Sequence, residues 1–275
     1  MQVERRALTF ACDGHWLYGV LDIPEQPRTR GVLFVVGGPQ YRAGSHRQFA
    51  LLARELAGDG CAAMRFDYRG MGDSEGEMRD FEQVDDDLRS AIDAFFAAVP
   101  GLTEVVLWGL CDGAAAAALY AQNDARVSGL VLLNPWVRTE AGAAKATLKH
   151  YYRARLFDRG LWKKIASGRF SIGAAAASLR RLVSSAAAEP GNAALPERMA
   201  QGLARFNGKL LVLLSGADLT AQEFSDLASS DPAWKQRLTA PGASSKTLPK
   251  ADHTFSRSHW HEQMVEWTRD WVRSW

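Results

Sequence analysis

Cysteine is scarce in this chain: Cys12, Cys61 and Cys111 are all there are among 275 residues, and no two are spaced as C-x-x-C. That usage excludes a disulfide framework and a paired-thiol zinc site, and it suits a reducing compartment. Long apolar runs are missing too, since none approaches the roughly 20 residues needed to span a bilayer. The stretch MQVERRALTF carries charges where a secretion signal needs an apolar core, so a cytoplasmic protein is expected. No excess charge of either sign is present. The formal balance is +2, which argues against a nucleic-acid partner. No internal repeat stands out, and nothing in the residue pattern calls for a metal or a cofactor.

What is present is a large apolar fraction, 47% of residues, enough to bury one sizeable core. RALTFACDGHWLYGVLDIP alternates apolar and polar residues around Asp13-Gly14 and reads as a two-stranded hairpin. Continuous apolar runs follow: GVLFVVGG, CAAMRFDY, EVVLWGL, VSGLVLLNP and KLLVLLSG. Such runs belong to strands buried on both faces. Between them lie segments with helical spacing. HRQFALLARELAGDG ends in glycine, FEQVDDDLRSAIDAFFAAVP stops at Pro100, and WHEQMVEWTRDWVRSW closes the chain. Strands alternating with helices predict an α/β fold, with a mostly parallel central sheet and helices on both faces. Ligands in such sheets sit beyond the carboxyl ends of the strands.

One segment breaks the alternation. Residues 137–205 are alanine-rich, without clear strands, and read as a helical cap or lid inserted into a core of 1–136 and 206–275. From Arg138 to Arg181 this insert holds eleven Lys/Arg against two Asp/Glu. Such a run serves as a solvated helix face, or as a positive rim that attracts an anionic substrate or touches an anionic membrane surface.

The strand ends carry the chemistry. Gly109-x-Cys111-x-Gly113 joins an apolar run to a helix in the form of a nucleophile elbow, with cysteine at its centre. A helix N-terminus there favours an anionic sulfur, while the adjacent Asp112 opposes it. A buried cysteine acting as a small apolar residue is the bland alternative. After GVLFVV comes Gly37-Gly38-Pro39, and Pro39 has no N–H to give. The backbone N–H groups of Gly38 and Asp112 are therefore the expected oxyanion donors. Asp218, after KLLVLLSG, is the expected partner of a histidine, although aspartate there also suits a helix N-cap. His253, in a loop before the last helix, is the expected general base. Gln40 and Trp136, beside two strand ends, are candidate substrate-binding residues. The order nucleophile, acid, base is that of an α/β-hydrolase.

The chain resembles the α/β-hydrolase superfamily over essentially its whole length. DYRGMGDSEG is similar to the D-x-R-G-x-G-x-S-x-G loop of that superfamily. VGGPQ is similar to the H-G-G-P loop of proline-iminopeptidase-like members, with Val36 in place of histidine. More narrowly, GGPQYRAGSHRQ, WGLCDGA, SGADLTAQEF and ADHTFSR resemble hydrolase 1 of the exosortase A system. That resemblance implies a bacterial enzyme linked to envelope export or exopolysaccharide assembly. Two departures from the superfamily pattern stand out: cysteine replaces the usual serine, as in dienelactone hydrolases, and Asp218 follows Gly216 one position early. The expected activity is hydrolysis of an ester, lactone or thioester of a small acyl substrate through an acyl-cysteine. Acyl transfer to a sugar, and a catalytically inactive binding protein, are the alternatives.

Overall fold

The computed structural model of the chain describes residues 2–38, 40–137 and 194–275. Strands β1 (Val3–Cys12) and β2 (His15–Pro24) form the expected hairpin, paired from Val3↔Pro24 to Cys12↔His15. Its turn residues, Asp13 and Gly14, have φ of 50° and 80°. Two positive angles in succession match the twist of the strands they join, and an Asp-Gly pair accepts them.

The remaining strands are β3 (Arg30–Val35), β4 (Ala63–Asp67), β5 (Glu104–Leu110), β6 (Val127–Leu133), β7 (Lys209–Ser215) and β8 (Ala243–Leu248). They join the hairpin in an eight-stranded sheet of order β1-β2-β4-β3-β5-β6-β7-β8. β2 runs antiparallel to β1 and β4, while the pairings from β4 across to β8 are parallel. The helices among the described residues are α1 (Gln48–Gly58), α2 (Asp85–Ala98), α3 (Asp112–Tyr120), α4 (Leu195–Arg205), α5 (Leu219–Ser230), α6 (Pro232–Thr239) and α7 (Ser258–Arg273). None of them is long and apolar enough to cross a membrane.

The continuous apolar runs are central strands, as a sheet covered on both faces requires. Every residue of β4 is buried, and so is all of β3, β5 and β7 except the first residue of each. Side chains alternate between the two faces. Val106, Trp108 and Leu110 of β5 share a cluster with Phe34, Leu211 and Leu213, closed by Phe49 and Leu52 of α1 and Met264 and Val265 of α7. Trp108 sits 5.1 Å from the ring of Phe34 and 5.3 Å from that of Phe49. On the other face, Gly109 lies against α3. Ala114 to Ala118 of that helix are all buried, and their short side chains let its backbone approach the sheet.

The periodic segment from Phe81 is not one helix. Phe81–Gln83 forms a 3-10 turn, capped by Asp80 accepting from the N–H of Glu82, and α2 begins after Val84. The apolar spacing continues across this break because Val84 is buried with Leu88 and Ile92.

Two buried ion pairs fix the loop after β4. Asp67, fully buried, pairs with Arg42 and accepts from the N–H groups of Arg42 (2.7 Å) and Asp73 (3.3 Å). This anchors the segment leading out of β3. Arg69, 1% exposed, meets the carboxylate of Asp87 through Nε at 3.1 Å and Nη2 at 2.8 Å, and reaches Asp13 in the hairpin turn. A planar guanidinium matches a carboxylate in this two-toothed way.

The chain divides into two compact units, Met1–Trp136 with Arg198–Trp275, and Val137–Glu197. The expected cap at 137–205, with its basic run, lies for the most part outside the described residues.

Breaking a buried pair strands the remaining charge, at a cost of about 3–5 kcal/mol. Asp87→Ala is therefore expected to lower unfolding stability by about that amount in urea titrations. The double variant with Arg69→Ala should cost less than the sum of the two single changes.

Candidate active site

Cys111 follows β5 directly and caps α3, with φ 59° and ψ −121°. A non-glycine residue in that region carries strain of about 1–3 kcal/mol, which the surroundings must impose. They do so through the backbone. The Cys111 N–H donates to the carbonyl of Leu133 at 2.9 Å, and its own carbonyl accepts from Ala114, Ala115 and Trp136, each at 3.1 Å. The flanking glycine at 113 is a matter of space: a Cβ there would lie 2.3 Å from the carbonyl oxygen of Val35. The chain can turn this sharply only where the end of β3 presses on bare backbone.

The three thiols differ in setting. Cys12 and Cys61 are buried, and burial pushes Cys61 up to about 12. Cys111 is half-exposed and packs at the margin of the core. A reactive thiol needs access, and only this one among the three has it.

His253 comes from the loop between β8 and α7. Its Nδ1 lies 2.9 Å from Oδ2 of Asp218. The hydrogen bond with Asp218 and the nearby Cys111 together overcome burial and raise His253 to about 10. Asp218 is pulled the other way. Burial alone would raise its carboxyl, but His253 and the N–H groups of Ala221 and Thr220 hold it below its ordinary value. Its Oδ2 takes the N–H of Ala221 at 3.0 Å and caps α5. The two roles open to Asp218 in the sequence, helix cap and histidine partner, are thus held by one oxygen at once. Its early position after Gly216 still delivers the carboxylate to the ring.

Asn134, which sequence reasoning passed over, braces this assembly. It is fully buried, with φ 42°. Its Nδ2 donates to the carbonyl of His253 at 2.9 Å, its Oδ1 accepts from Ser215 at 2.8 Å, and its N–H donates to Leu213 at 3.0 Å. One side chain therefore ties the ends of β6 and β7 to the histidine loop. The available signal was an Asn-Pro pair at the end of an apolar run, where asparagine accepts a left-handed angle. Nearby, the N–H of Ala217 donates to Ala251 at 3.0 Å, which joins the loops carrying Asp218 and His253.

The expected oxyanion donors are also drawn together, with the carboxylate of Asp112 beside them. It takes the N–H of Gly113 at 3.1 Å, and a Cβ built on Gly38 would lie 3.2 Å from its Oδ2. Gln40 turns back on this loop, its N–H donating to Gly38 at 2.8 Å. Its Oε1 is buried without a hydrogen-bond partner among the described residues. Trp136 is half-buried and held to the elbow by its N–H. Pro39 lies outside the described residues.

A sequence model of the alpha/beta hydrolase family matches residues 32–269. The chain belongs to that family. Solved structures of alpha/beta hydrolases overlay it along nearly its whole length. An esterase of Pyrococcus furiosus, Pf2001, does so with a TM-score of 0.69 at 13% identity, over 99% of this chain and 92% of that one. A dienelactone hydrolase of Anabaena variabilis gives 0.66 at 16% identity, over 100% and 99%. Est1E of Butyrivibrio proteoclasticus, with ferulic acid bound, gives 0.63 at 15% identity, over 97% and 98%. No curated protein matches the sequence. Membership makes the chain a hydrolase of this fold.

Two outcomes follow from the geometry. Because His253 is raised from 6.5 to about 10 in the folded chain, its ionic pairing stabilises fully below about 6.5 and is lost as pH climbs through about 10. Asp218→Asn keeps the helix cap, so thermal melts should show wild type ahead of the variant at pH 6, with the gap closing by pH 10. Asn134→Ala leaves the Ser215 N–H buried and unpaired, and should cost about 1–3 kcal/mol in denaturant unfolding.

Proposed function

We propose that the protein hydrolyses an ester, lactone or thioester through a covalent acyl-cysteine, with Cys111 as nucleophile, His253 as general acid and base, and Asp218 as its orienting carboxylate. The observation that carries this reading is the hydrogen bond that joins Asp218 to the His253 ring, beside the one accessible thiol of the three, whose presence helps to raise that ring. In this reading the proton shared by Cys111 and His253 already rests on the raised His253 ring, and the sulfur attacks the acyl carbon to form the C–S bond. The N–H groups of Gly38 and Asp112 take the resulting oxyanion, a service worth about 3–4 kcal/mol per donor in comparable sites. Collapse expels the leaving group, which takes the proton from His253. Water then gives a proton to the same ring, attacks the thioester, and releases the acid, leaving the proton shared again by His253 and the freed sulfur.

A thiolate leaves more readily than an alkoxide, so a tetrahedral adduct on Cys111 reverts unless the substrate's own leaving group is good. Activated esters, lactones and thioesters meet that condition. Esterases and a dienelactone hydrolase among the structural neighbours point to the same carbonyl classes. The eleven cations against two anions between Arg138 and Arg181 favour an anionic acyl donor, such as an acyl thioester of a phosphorylated carrier. The narrower resemblance of WGLCDGA and ADHTFSR to hydrolase 1 of the exosortase A system sets this chemistry beside exopolysaccharide assembly. In that setting a sugar hydroxyl replaces water as acceptor, and product analysis with and without a glycan separates the two outcomes.

A panel of p-nitrophenyl esters, acyl-CoAs and lactones should be turned over by the wild type. Cys111→Ala should lose at least about 10³-fold in kcat. Mass spectrometry of the quenched wild-type reaction should find the acyl group on Cys111. Turnover undiminished in Cys111→Ala would end the proposal.

A further inference from the structure

The backbone that would stabilise an oxyanion already faces a carboxylate. Oδ1 of Asp112 takes the N–H of Gly113 at 3.1 Å, and burial raises the carboxyl above its ordinary value while the nearby N–H groups of Gly113 and Gly38 oppose that shift. The fit is built from both sides. A Cβ on Gly37 would lie 2.0 Å from Oδ1 of Asp112, and one on Gly38 3.2 Å from Oδ2. The loop after β3 has bare backbone where the carboxylate rests. That backbone is held in place by Arg42, paired with Asp67 a few residues on. At the start of α3 the group also meets the positive end of the helix.

We propose that the Asp112 carboxylate is a built-in plug of the oxyanion hole, displaced only when an acyl substrate enters, and so a residue that sets which substrates react. The proposal rests on the hydrolase reading of Cys111. Its physical basis is a competition for the same N–H groups. A neutral carbonyl is a weaker acceptor than a carboxylate, and the plug is tethered beside the donors, so small esters with few binding contacts lose. A substrate with further binding contacts can use them to drive the carboxylate out, which turns remote binding into selectivity at the reacting carbon. Removing the carboxylate leaves the backbone donors intact and opens the hole to any carbonyl.

Asp112→Ala and Asp112→Asn test this with p-nitrophenyl acetate, a small ester with few contacts. Asp112→Ala should raise kcat/KM about tenfold to a hundredfold, the range spanned by one hydrogen bond to a charged group. Asp112→Asn should rise less, because its amide oxygen still fits the donors as a weaker acceptor. A second readout does not need turnover: the rate ratio of iodoacetate to iodoacetamide at Cys111, followed by peptide mass spectrometry. Loss of the negative plug should raise that ratio in both variants. If both variants turn over the ester more slowly and leave the alkylation ratio unchanged, the plug is overturned and Asp112 is a helix-end residue alone. If no variant or wild type turns over any ester but the ratio rises, the plug stands and the hydrolase reading falls.

Discussion

The contact between Gly113 and the end of β3 is the constraint on which the rest of the site depends. Backbone passes backbone there with no room for a side chain, and the passage forces Cys111 into an angle that a non-glycine residue adopts only under compulsion. The strain aims the sulfur out of the sheet rather than into the core. The parallel register of β3, β5 and β6 supplies the compulsion, because it sets the carbonyls of Val35 and Leu133 beside the turn. A sheet slipped by one residue would exchange its faces and lose the elbow.

Around that turn, single groups do several things. Asp218 closes a helix and holds an imidazole with the same oxygen. Asn134 satisfies one strand end and carries the backbone of His253. Asp112 begins α3, takes the N–H of Gly113 and rests its carboxylate against Gly37 and Gly38. Such sharing follows from geometry. At the carboxyl edge of a parallel sheet, strand ends, helix starts and loops converge on a few ångströms, and each leaves backbone groups that need partners. Polar side chains that reach the site are drawn into this demand. Positioning and structure are therefore not separable there, and changes at Asn134 or Asp218 act on both.

The charges in the site also form one system. His253 is raised by Asp218 and Cys111, and burial raises the carboxyl of Asp112. The fold keeps the two groups apart: the imidazole against Asp218 after β7, the carboxylate against the glycines after β3.

Much of this could be read from the sequence, and the reason is periodicity. Runs such as EVVLWGL and KLLVLLSG have only one stable setting, a strand covered on both faces, and the alternation of runs with helices then fixes a parallel sheet. Asp13-Gly14 and Gly109-x-Cys111-x-Gly113 carry their backbone angles in their own residue types. The order of Cys111, Asp218 and His253 along the chain was enough to place each at the same sheet edge. The break between Gln83 and α2, the bracing role of Asn134, and the packing of the Asp112 carboxylate against the glycines after β3 were decided only in three dimensions. Each depends on which groups a distant segment brings within about 3 Å, the reach of a hydrogen bond, and one-dimensional patterns record spacing but not that meeting.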